Sequence, residues 1–206
     1  MAQNRLQLTE KEIAERLSHW QRDEVLEDPF PPGFLNRPPR NAAVLIPMLK
    51  QSGAWHILFI RRTSNSNDPH SGQVAFPGGG SDPGDRDAVD TALREANEEL
   101  GLLPADVHIL GRLMDFITVT GYRVTPIVAS IPWPYPLILE AKEVNRAFTI
   151  PLDWLADSSN HEERQRTLRA PYQPVNVIYF KTYDGETLWG ASARFTIELL
   201  HILFGD

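Results

Sequence analysis

The most informative stretch of the sequence is Arg94-Glu95-Ala96-Asn97-Glu98-Glu99-Leu100-Gly101-Leu102. Glu95, Glu98 and Glu99 are spaced at i, i+3 and i+4, so on a helix they share one face. Like charges at this spacing destabilise a helix by roughly a few tenths of a kcal/mol per pair. A hard divalent cation removes that penalty, because Mg²⁺ is commonly held by a few carboxylates while water and phosphate oxygens complete its ligands.

The flanking sequence favours a metal site over an ordinary solvated acidic face. Apolar residues recur at helical spacing over residues 87–100, which predicts a helix whose apolar face lies opposite the glutamates. Gly101 suits the C-cap of this helix. Upstream, Phe76-Pro77-Gly78-Gly79-Gly80 predicts a turn whose glycines let the backbone approach a ligand or metal closely.

In the rest of the chain, predicted strands are more frequent than predicted helices. Short apolar runs bounded by turn residues predict strands at 43–49, 55–60, 73–76, 107–113, 116–120, 123–131, 146–150 and 175–180. A closing helix is predicted at 190–204. Because the strands alternate irregularly with the helices, the pattern predicts an α+β fold, an α/β/α sandwich with a mixed β-sheet between helices.

The first part of the chain differs from the rest. Residues 4–20 carry apolar positions among charges and predict an amphipathic helix, which covers either the domain or a partner subunit. A proline-rich connector follows, with Pro31, Pro32, Pro38 and Pro39 among its residues. We therefore divide the chain into 1–41, helix and connector, and 42–206, the main domain.

Composition excludes several functional classes. The chain has 206 residues, 42% of them hydrophobic, which suits one domain with its own core. It contains no cysteine, so a thiolate nucleophile and a cysteine-based zinc site are excluded. The net charge of −7 argues against general nucleic-acid binding. Apolar runs are far shorter than the roughly 20 residues of a membrane span, and residues 1–16 do not resemble a secretory signal. We expect a cytoplasmic protein without membrane or nucleic-acid partners.

The acidic stretch and the glycine turn together resemble the Nudix box. The family pattern is Gly-x5-Glu-x7-Arg-Glu-U-x-Glu-Glu-x-Gly-U, where U is apolar, and its counterparts here are Gly79, Asp85, Arg94, Glu95, Glu98, Glu99, Gly101 and Leu102. Asp85 replaces the usual Glu, and eight residues rather than seven separate it from Arg94. The Arg-Glu-x-x-Glu-Glu core is intact.

A longer likeness, over roughly residues 42–204, is to the coenzyme A pyrophosphatase branch of this family. It includes Arg61-Arg62, the run from His70 to Gly79, and Thr120-Gly121-Tyr122-Arg123-Val124-Thr125-Pro126. One departure stands out. The branch normally carries an arginine about where this chain has Asn67-Asp68-Pro69.

The resemblance implies a Nudix-type sandwich and a set of site residues. Glu95, Glu98, Glu99 and the Gly78 carbonyl would hold Mg²⁺ or Mn²⁺, and the metal would polarise a phosphoryl oxygen and activate water. Catalysis is expected from Glu98, Glu99 and a general base. Glu143 is the first candidate for the base, and Glu140 is the second. Structural roles fall to Gly79, Asp85, Arg94 and Gly101. The candidate substrate-binding residues are Arg61, Arg62, His70 and Arg123.

Three functions are compatible with these residues. The first is hydrolysis of coenzyme A, or its acyl or oxidised forms, to 3′,5′-ADP and a 4′-phosphopantetheine product. The second keeps the chemistry but takes ADP-ribose, a dinucleoside polyphosphate or a nucleoside triphosphate. The third is a non-catalytic nucleotide-binding module, against which the retained glutamates argue. The expected partner is a small-molecule nucleotide, and the expected state is a monomer or homodimer.

Aromatic residues outside the motif include two in one loop and two at single positions. Trp133-Pro134-Tyr135-Pro136 is either a loop that stacks on an adenine or a packed surface turn. Trp154 and Trp189 are predicted to lie in the core.

Overall fold

A mixed β-sheet forms the centre of the computed structural model, which describes residues 8–20, 34–35, 37–63, 72–167 and 174–205. Its central strand, β1 (Arg40–Gln51), pairs in parallel with β7 (Tyr122–Ser130). The end of β1 continues through a tight turn into antiparallel β2 (Ala54–Arg62). The start of β1 pairs antiparallel with β4 (Gly78–Gly80). β1 thus connects the glycine segment to both halves of the sheet.

Four further strands complete this sheet. They are β3 (Val74–Ala75), which pairs with β2; β5 (His108–Arg112) and β6 (Phe116–Ile117), which pair with β7; and β8 (Val144–Pro151), which pairs with β2. β9 (His161–Arg166) and β10 (Val175–Phe180) form a separate two-stranded sheet.

Helices cover both faces of the main sheet. α2 (Ala88–Leu100) lies on one face, where its apolar side packs against Ala43, Leu45 and Leu49 of β1. α1 (Glu10–Trp20) and α4 (Gly190–Phe204) lie on the other face, over a larger apolar cluster. Side chains of β1 alternate between these two cores, as a strand buried on both faces requires. The predicted α+β sandwich with a mixed sheet is confirmed.

α1 packs on the domain itself. Thr9 and Glu12 form a reciprocal capping box at its start, with each side chain bound to the other residue's backbone N–H. Ile13 and Leu17 are fully buried. Of the predicted helix over 4–20, residues 10–20 are helical, and 4–7 lie outside the described residues. Most of the proline-rich connector, residues 21–33 and 36, also lies outside them, and the boundary at 41/42 stays a prediction.

Several element predictions were wrong in extent or missed. The glycine segment predicted as a turn contains strand β4, and β3 spans two residues instead of four. The predicted strand 116–120 ends at Ile117, because a turn follows in which Gly121 N–H donates to the Thr118 carbonyl at 3.0 Å. α3 (Leu152–Ala156) and β9 were not predicted. β9 has the sequence His-Glu-Glu-Arg-Gln-Arg, which lacks the apolar alternation of a half-buried strand.

The two tryptophans predicted for the core are only half-buried. Trp154 packs edge-on against Tyr183, with ring centroids 4.9 Å apart, and borders the larger core. Trp189 instead stacks on Tyr179 of β10, with the rings 4° from parallel. None of the helices in the described ranges is long and apolar enough to cross a bilayer.

Candidate active site

Both ends of α2 are fixed by hydrogen bonds. At the start, the Asp87 carboxylate accepts from the N–H groups of Val89 and Asp90, both at 2.9 Å. At the end, Gly101 takes a left-handed conformation (φ 67°), which glycine adopts without strain. The segment after the Trp133–Pro136 loop then satisfies the last carbonyls, because Glu140 N–H donates to the Glu99 carbonyl at 3.0 Å. The glutamates on α2 therefore have a fixed position relative to the sheet.

Glu99 is a buried carboxylate whose oxygens have unequal partners. Its residue is 1% exposed, and Oε2 accepts a hydrogen bond from Gly78 N–H at 3.0 Å. Oε1 has no hydrogen-bond partner among the described residues, and Arg62 Nη1 lies 3.7 Å from it. Burial raises the pKa of Glu99 to about 8, although the Gly78 N–H and the Arg62 guanidinium oppose that shift. Such a group is stabilised by an additional cation.

Glu95 lies against the backbone of the glycine strand. A Cβ atom at Gly79 would come within 2.6 Å of Glu95 Oε1, so any larger residue there would displace this carboxylate from its observed place. The Glu95 side chain is 14% exposed, and its burial raises its pKa, against the opposing effect of Arg94. Glu98, one turn away, is 59% exposed and faces solvent. The exposure of the three carboxylates thus increases from Glu99 through Glu95 to Glu98.

Arg94 joins the loop after the glycine strand to α2. Its Nε and Nη2 bind the two oxygens of Asp85, each at 3.0 Å, and Nη2 also donates to the Gly80 carbonyl at 2.9 Å. Nη1 contacts Glu95 at 2.9 Å and Glu98 at 3.2 Å. This bidentate pair holds the pKa of Asp85 well below its usual range and raises that of Arg94. Asp85 and Arg94 have the contacts expected of structural residues.

Thr91 belongs to the same network and was not singled out from the sequence. It is fully buried, and its hydroxyl lies 2.8 Å from Asp85 Oδ2 and 3.1 Å from Ser81 Oγ. It thereby supports the carboxylate that holds Arg94. The available signal was a polar residue beside Ala92 within the apolar pattern of a helix, which implies a local hydrogen-bond partner.

A divalent cation suits this donor set. Within the described part of the chain, no three His, Asp or Glu side chains are gathered closely enough to hold an ion as they stand. Arg94 binds one oxygen of Glu95 and one oxygen of Glu98. Both carboxylates are therefore directed toward the guanidinium. The donors are hard carboxylate oxygens, which Mg²⁺ and Mn²⁺ prefer. Since Glu99 Oε1 is a buried acceptor that receives no hydrogen bond from the described residues, the donor set fits such an ion.

The two adjacent arginines of β2 point to opposite faces of the sheet. Arg62 reaches Glu99, on the α2 face. Arg61 lies 3.4 Å from Glu186, a buried carboxylate that Arg146 also contacts at 3.4 Å. Successive strand residues alternate in this way. The structure therefore brings Arg62 to the acidic centre but not Arg61.

The remaining predicted site residues have no direct contact with the α2 glutamates among the contacts of the described residues. Glu143 is exposed, and its charge is near enough to contribute to the raised pKa of Glu95 and of Glu99. Arg123 is exposed on β7 opposite Asn41, whose carbonyl accepts from Ser81 N–H at 3.0 Å, so it lies beside the glycine segment. His70 lies outside the described residues.

The Trp133–Pro136 loop is held by its own contacts. The Tyr135 hydroxyl accepts from Leu103 N–H at 3.1 Å and donates to Asp106 at 2.8 Å. Trp133 and Tyr135 also pack against the core under α2. Of the two interpretations, these contacts favour the packed surface turn.

Comparisons with known proteins agree with this geometry. The Enterococcus faecalis MutT/nudix family protein has a solved structure that covers 90% of this chain and 67% of its own, with a TM-score of 0.52 and 18% identity, which shows the fold. The proteins named Uncharacterized Nudix hydrolase NudL from Yersinia pestis (strain Pestoides F) and Yersinia pseudotuberculosis (serotype O:1b, strain IP 31758) are each 37% identical over 155 residues. Each match spans 75% of this chain and 75% of the relative.

The model of the NUDIX domain matches residues 39–169, a span that begins just before β1 and contains the glycine strand, α2 and Glu143. This match covers more than half of the sequence and confirms the predicted membership of the family whose motif the glycine turn and the acidic helix resemble. By both the domain match and its relatives, this chain belongs to the Nudix hydrolases, a family of pyrophosphatase enzymes.

Proposed function

We propose that this enzyme hydrolyses the phosphoanhydride bond of coenzyme A, or of its acyl or oxidised forms, to 3′,5′-ADP and (acyl-)4′-phosphopantetheine, with Mg²⁺ or Mn²⁺. As a Nudix hydrolase it acts on nucleoside diphosphate derivatives. The observation that carries the metal-dependent chemistry is the buried carboxylate of Glu99, whose Oε1 receives no hydrogen bond within the described ranges. The choice of coenzyme A is supported by the sequence likeness over residues 42–204.

Each protein group has a definite task in this reaction. Glu95, Glu98, Glu99 and the Gly78 carbonyl would hold the metal, which would supply polarisation of a phosphoryl oxygen and a lowered pKa of water. The oxygen of a water molecule bonds to phosphorus, and the bond from phosphorus to the bridging oxygen breaks. Glu143 accepts the proton that this water loses. Glu143 suits a base because it is exposed and lies near Glu95 and Glu99.

One sequence feature favours a different substrate. Asn67-Asp68-Pro69 stands where the coenzyme A branch normally carries an arginine. If that arginine is needed for the 3′-phosphate of coenzyme A, the same centre would act on ADP-ribose, a dinucleoside polyphosphate or a nucleoside triphosphate. Such substrates keep a phosphoanhydride beside a nucleoside and lack that phosphate.

A cytoplasmic location, a monomer or homodimer and the absence of nucleic-acid partners remain predictions.

The deciding experiment is product analysis by chromatography. The protein is incubated with coenzyme A, ADP-ribose and nucleoside triphosphates, each with Mg²⁺, Mn²⁺ or EDTA. We expect metal-dependent release of 3′,5′-ADP from coenzyme A, lost in Glu99→Gln and kept in Glu162→Gln, a matched change of an exposed glutamate on β9. Turnover of another substrate alone would move the assignment to it. Nucleotide binding without any turnover would make the protein a binding module.

A further inference from the structure

The exposed side chain of Arg40 lies against an aromatic ring at the start of β1. Arg40 pairs with Tyr122 of β7 in the parallel register, and its guanidinium carbon lies 4.3 Å from the centroid of the Tyr122 ring. Among the contacts of the described residues, Arg40 has no carboxylate partner. The pair therefore presents to solvent a positive charge that no described acid neutralises, in a protein whose net charge is −7.

We infer that Arg40, held on the Tyr122 ring, binds a phosphate monoester on the nucleoside of the substrate, such as the 3′-phosphate of coenzyme A. This inference rests on the proposed function and deepens it, because it names a residue that selects substrates with this additional phosphate. Arg40 would supply a cation in place of the arginine that the coenzyme A branch carries where this chain has Asn67-Asp68-Pro69.

The contact with the ring leaves the hydrogen-bond donors of Arg40 available. A guanidinium carries five N–H donors in one plane and keeps its charge at any physiological pH. A cation–π contact attracts this charge to the face of the ring and offers no oxygen acceptor to the donors. A phosphate presents several oxygens that match the guanidinium fork. Because the ring already positions the side chain, less conformational freedom is lost when a phosphate binds.

The Tyr122 ring places this charge beside the glycine strand. A Cβ atom at Gly80 would lie 3.9 Å from Tyr122 Cε1, whereas a Cβ atom at Gly79 would lie 2.6 Å from Glu95. The two neighbouring glycines thus face opposite sides, as alternation along a strand requires. The aromatic pair and the acidic centre therefore lie on either side of the same strand, β4.

A substrate can reach both sides because β4 carries no side chains. Gly80, its last residue, and the following Ser81 are exposed. Arg40 is two residues from Ala42, the partner of Gly80, which corresponds to about 7 Å along a strand. The 5′- and 3′-phosphates of one nucleotide are separated by a similar distance. A nucleotide that crosses the exposed end of β4 can therefore place its phosphoanhydride at the α2 glutamates and its second phosphate at Arg40.

A second arginine increases the positive charge of this region. Arg194 of α4 is exposed, and its guanidinium carbon lies 4.9 Å from the centroid of the Phe116 ring. Phe116 pairs with Val124, which is two residues from Tyr122 and shares its face of β7. Both rings border the larger core, which α4 covers. The summed charge favours an anion over a neutral group at Arg40.

Arg164 provides a matched comparison elsewhere in the protein. Its guanidinium carbon lies 4.7 Å from the centroid of the Tyr179 ring, so this pair has the same chemistry as the pair at Arg40. Arg164 differs because it binds the Glu162 carboxylate at 2.6 Å and lies on β9, in the separate two-stranded sheet. Arg164→Gln changes the net charge by the same amount as Arg40→Gln. A role specific to Arg40 must therefore appear as a difference between these two variants.

The first test measures nucleotide binding without turnover. Calorimetry in EDTA compares 3′,5′-ADP with 5′-AMP, which differ only in the phosphate assigned to Arg40. We expect the wild type and Arg164→Gln to bind 3′,5′-ADP about tenfold more tightly than 5′-AMP, as charge-assisted hydrogen bonds predict. Arg40→Gln should abolish most of this preference. Arg40→Lys, which keeps the charge but loses the fork, should retain part of it.

The second test measures turnover with saturating Mg²⁺ and compares coenzyme A with dephospho-coenzyme A, which lacks the 3′-phosphate. Arg40→Gln should lower the ratio of the two kcat/KM values by about tenfold. The change should lie in KM, because a phosphate remote from the breaking bond contributes equally to binding in the ground state and in the transition state. Arg164→Gln should leave this ratio unchanged.

The outcomes separate the inference from the proposed function. If Arg40→Gln keeps the preference for 3′,5′-ADP, or if the wild type shows no preference, the inference is overturned, whereas metal-dependent cleavage of coenzyme A would still establish the proposed function. If the wild type prefers 3′,5′-ADP through Arg40 but does not cleave coenzyme A, the phosphate site is supported and the proposed substrate is wrong.

Discussion

At the scale of single residues, Gly79 is constrained by the Glu95 side chain. A methyl group there would overlap the Glu95 carboxylate, at 2.6 to 2.7 Å from three of its atoms. We expect Gly79→Ala to lower kcat/KM by about a hundredfold, because a displacement of a catalytic group by about 1 Å has effects of that size. Gly84→Ala is the matched control, since an added Cβ there meets nothing within 4 Å. Full activity of Gly79→Ala would show that Glu95 is not needed in its observed place.

Glu99 predicts an unusual dependence of stability on pH in the metal-free protein. The unfolded chain loses this proton near the ordinary pKa of 4.5, whereas the folded protein keeps it up to about 8. The folded state therefore binds more protons between these values, and its free energy of unfolding falls as pH rises through them. The loss is on the order of a few kcal/mol.

Urea unfolding in EDTA at several pH values measures this effect. Glu99→Gln should remove much of the fall between about pH 5 and 8, while Glu98→Gln, whose side chain is mostly exposed, should keep it. Identical pH profiles for Glu99→Gln and the wild type would contradict the assigned burial of this carboxylate.

The residues of the site were predictable where spacing alone determines position. Glu95, Glu98 and Glu99 share a helical face by their intervals, and the structure places them along one side of α2. The division between Arg61 and Arg62 was not predictable, because it depends on which face of β2 meets α2. Thr91 was missed since its role depends on Asp85, which comes from a loop.

At the scale of elements, α1 makes its own contribution to stability. Leu17 is fully buried against Gly111 of β5, where an added Cβ would approach it within 2.8 Å. Leu17→Ala should lower the free energy of unfolding by about 2–5 kcal/mol, the usual cost of such a cavity. Lys11→Ala, an exposed change on the same helix, should cost well under 1 kcal/mol.

Denaturant melts at several protein concentrations make this test specific. Because α1 packs within its own chain, the loss should not depend on concentration. A loss that grew on dilution would mean that the helix contacts a partner subunit in solution.

Elements with a clear periodic pattern were predicted closely, and those without one were missed. α2 begins at Ala88 and ends at Leu100, within a residue of the expected bounds, because apolar spacing and both caps agree. β4 consists of three glycines and carries no side-chain pattern, so its pairing with β1 appears only in the fold. β9 is charged because it lies in a two-stranded sheet at the surface.

At the scale of the whole molecule, metal binding should stabilise the fold. A cation that binds the folded protein and not the unfolded chain adds about 2.7 kcal/mol at a hundred times its Kd. For a protein of this size, that corresponds to a rise in Tm of roughly 5–10 °C. Scanning calorimetry with and without Mg²⁺ should show this rise in the wild type and in Glu162→Gln. A similar rise in Glu99→Gln would place the metal elsewhere.

The hydrogen bond from Gly78 N–H to Glu99 ties the backbone of the sheet to the state of the buried carboxylate. An amide proton shared with a carboxylate resonates at a position that depends on the charge of that carboxylate and on what else it binds. In a ¹⁵N-labelled sample, the chemical shift of the Gly78 amide would therefore report the ionisation and ligand state of Glu99. Its signal could be followed through titration with acid, metal and nucleotide in the unmodified protein, without a substitution or a dye near the reacting atoms.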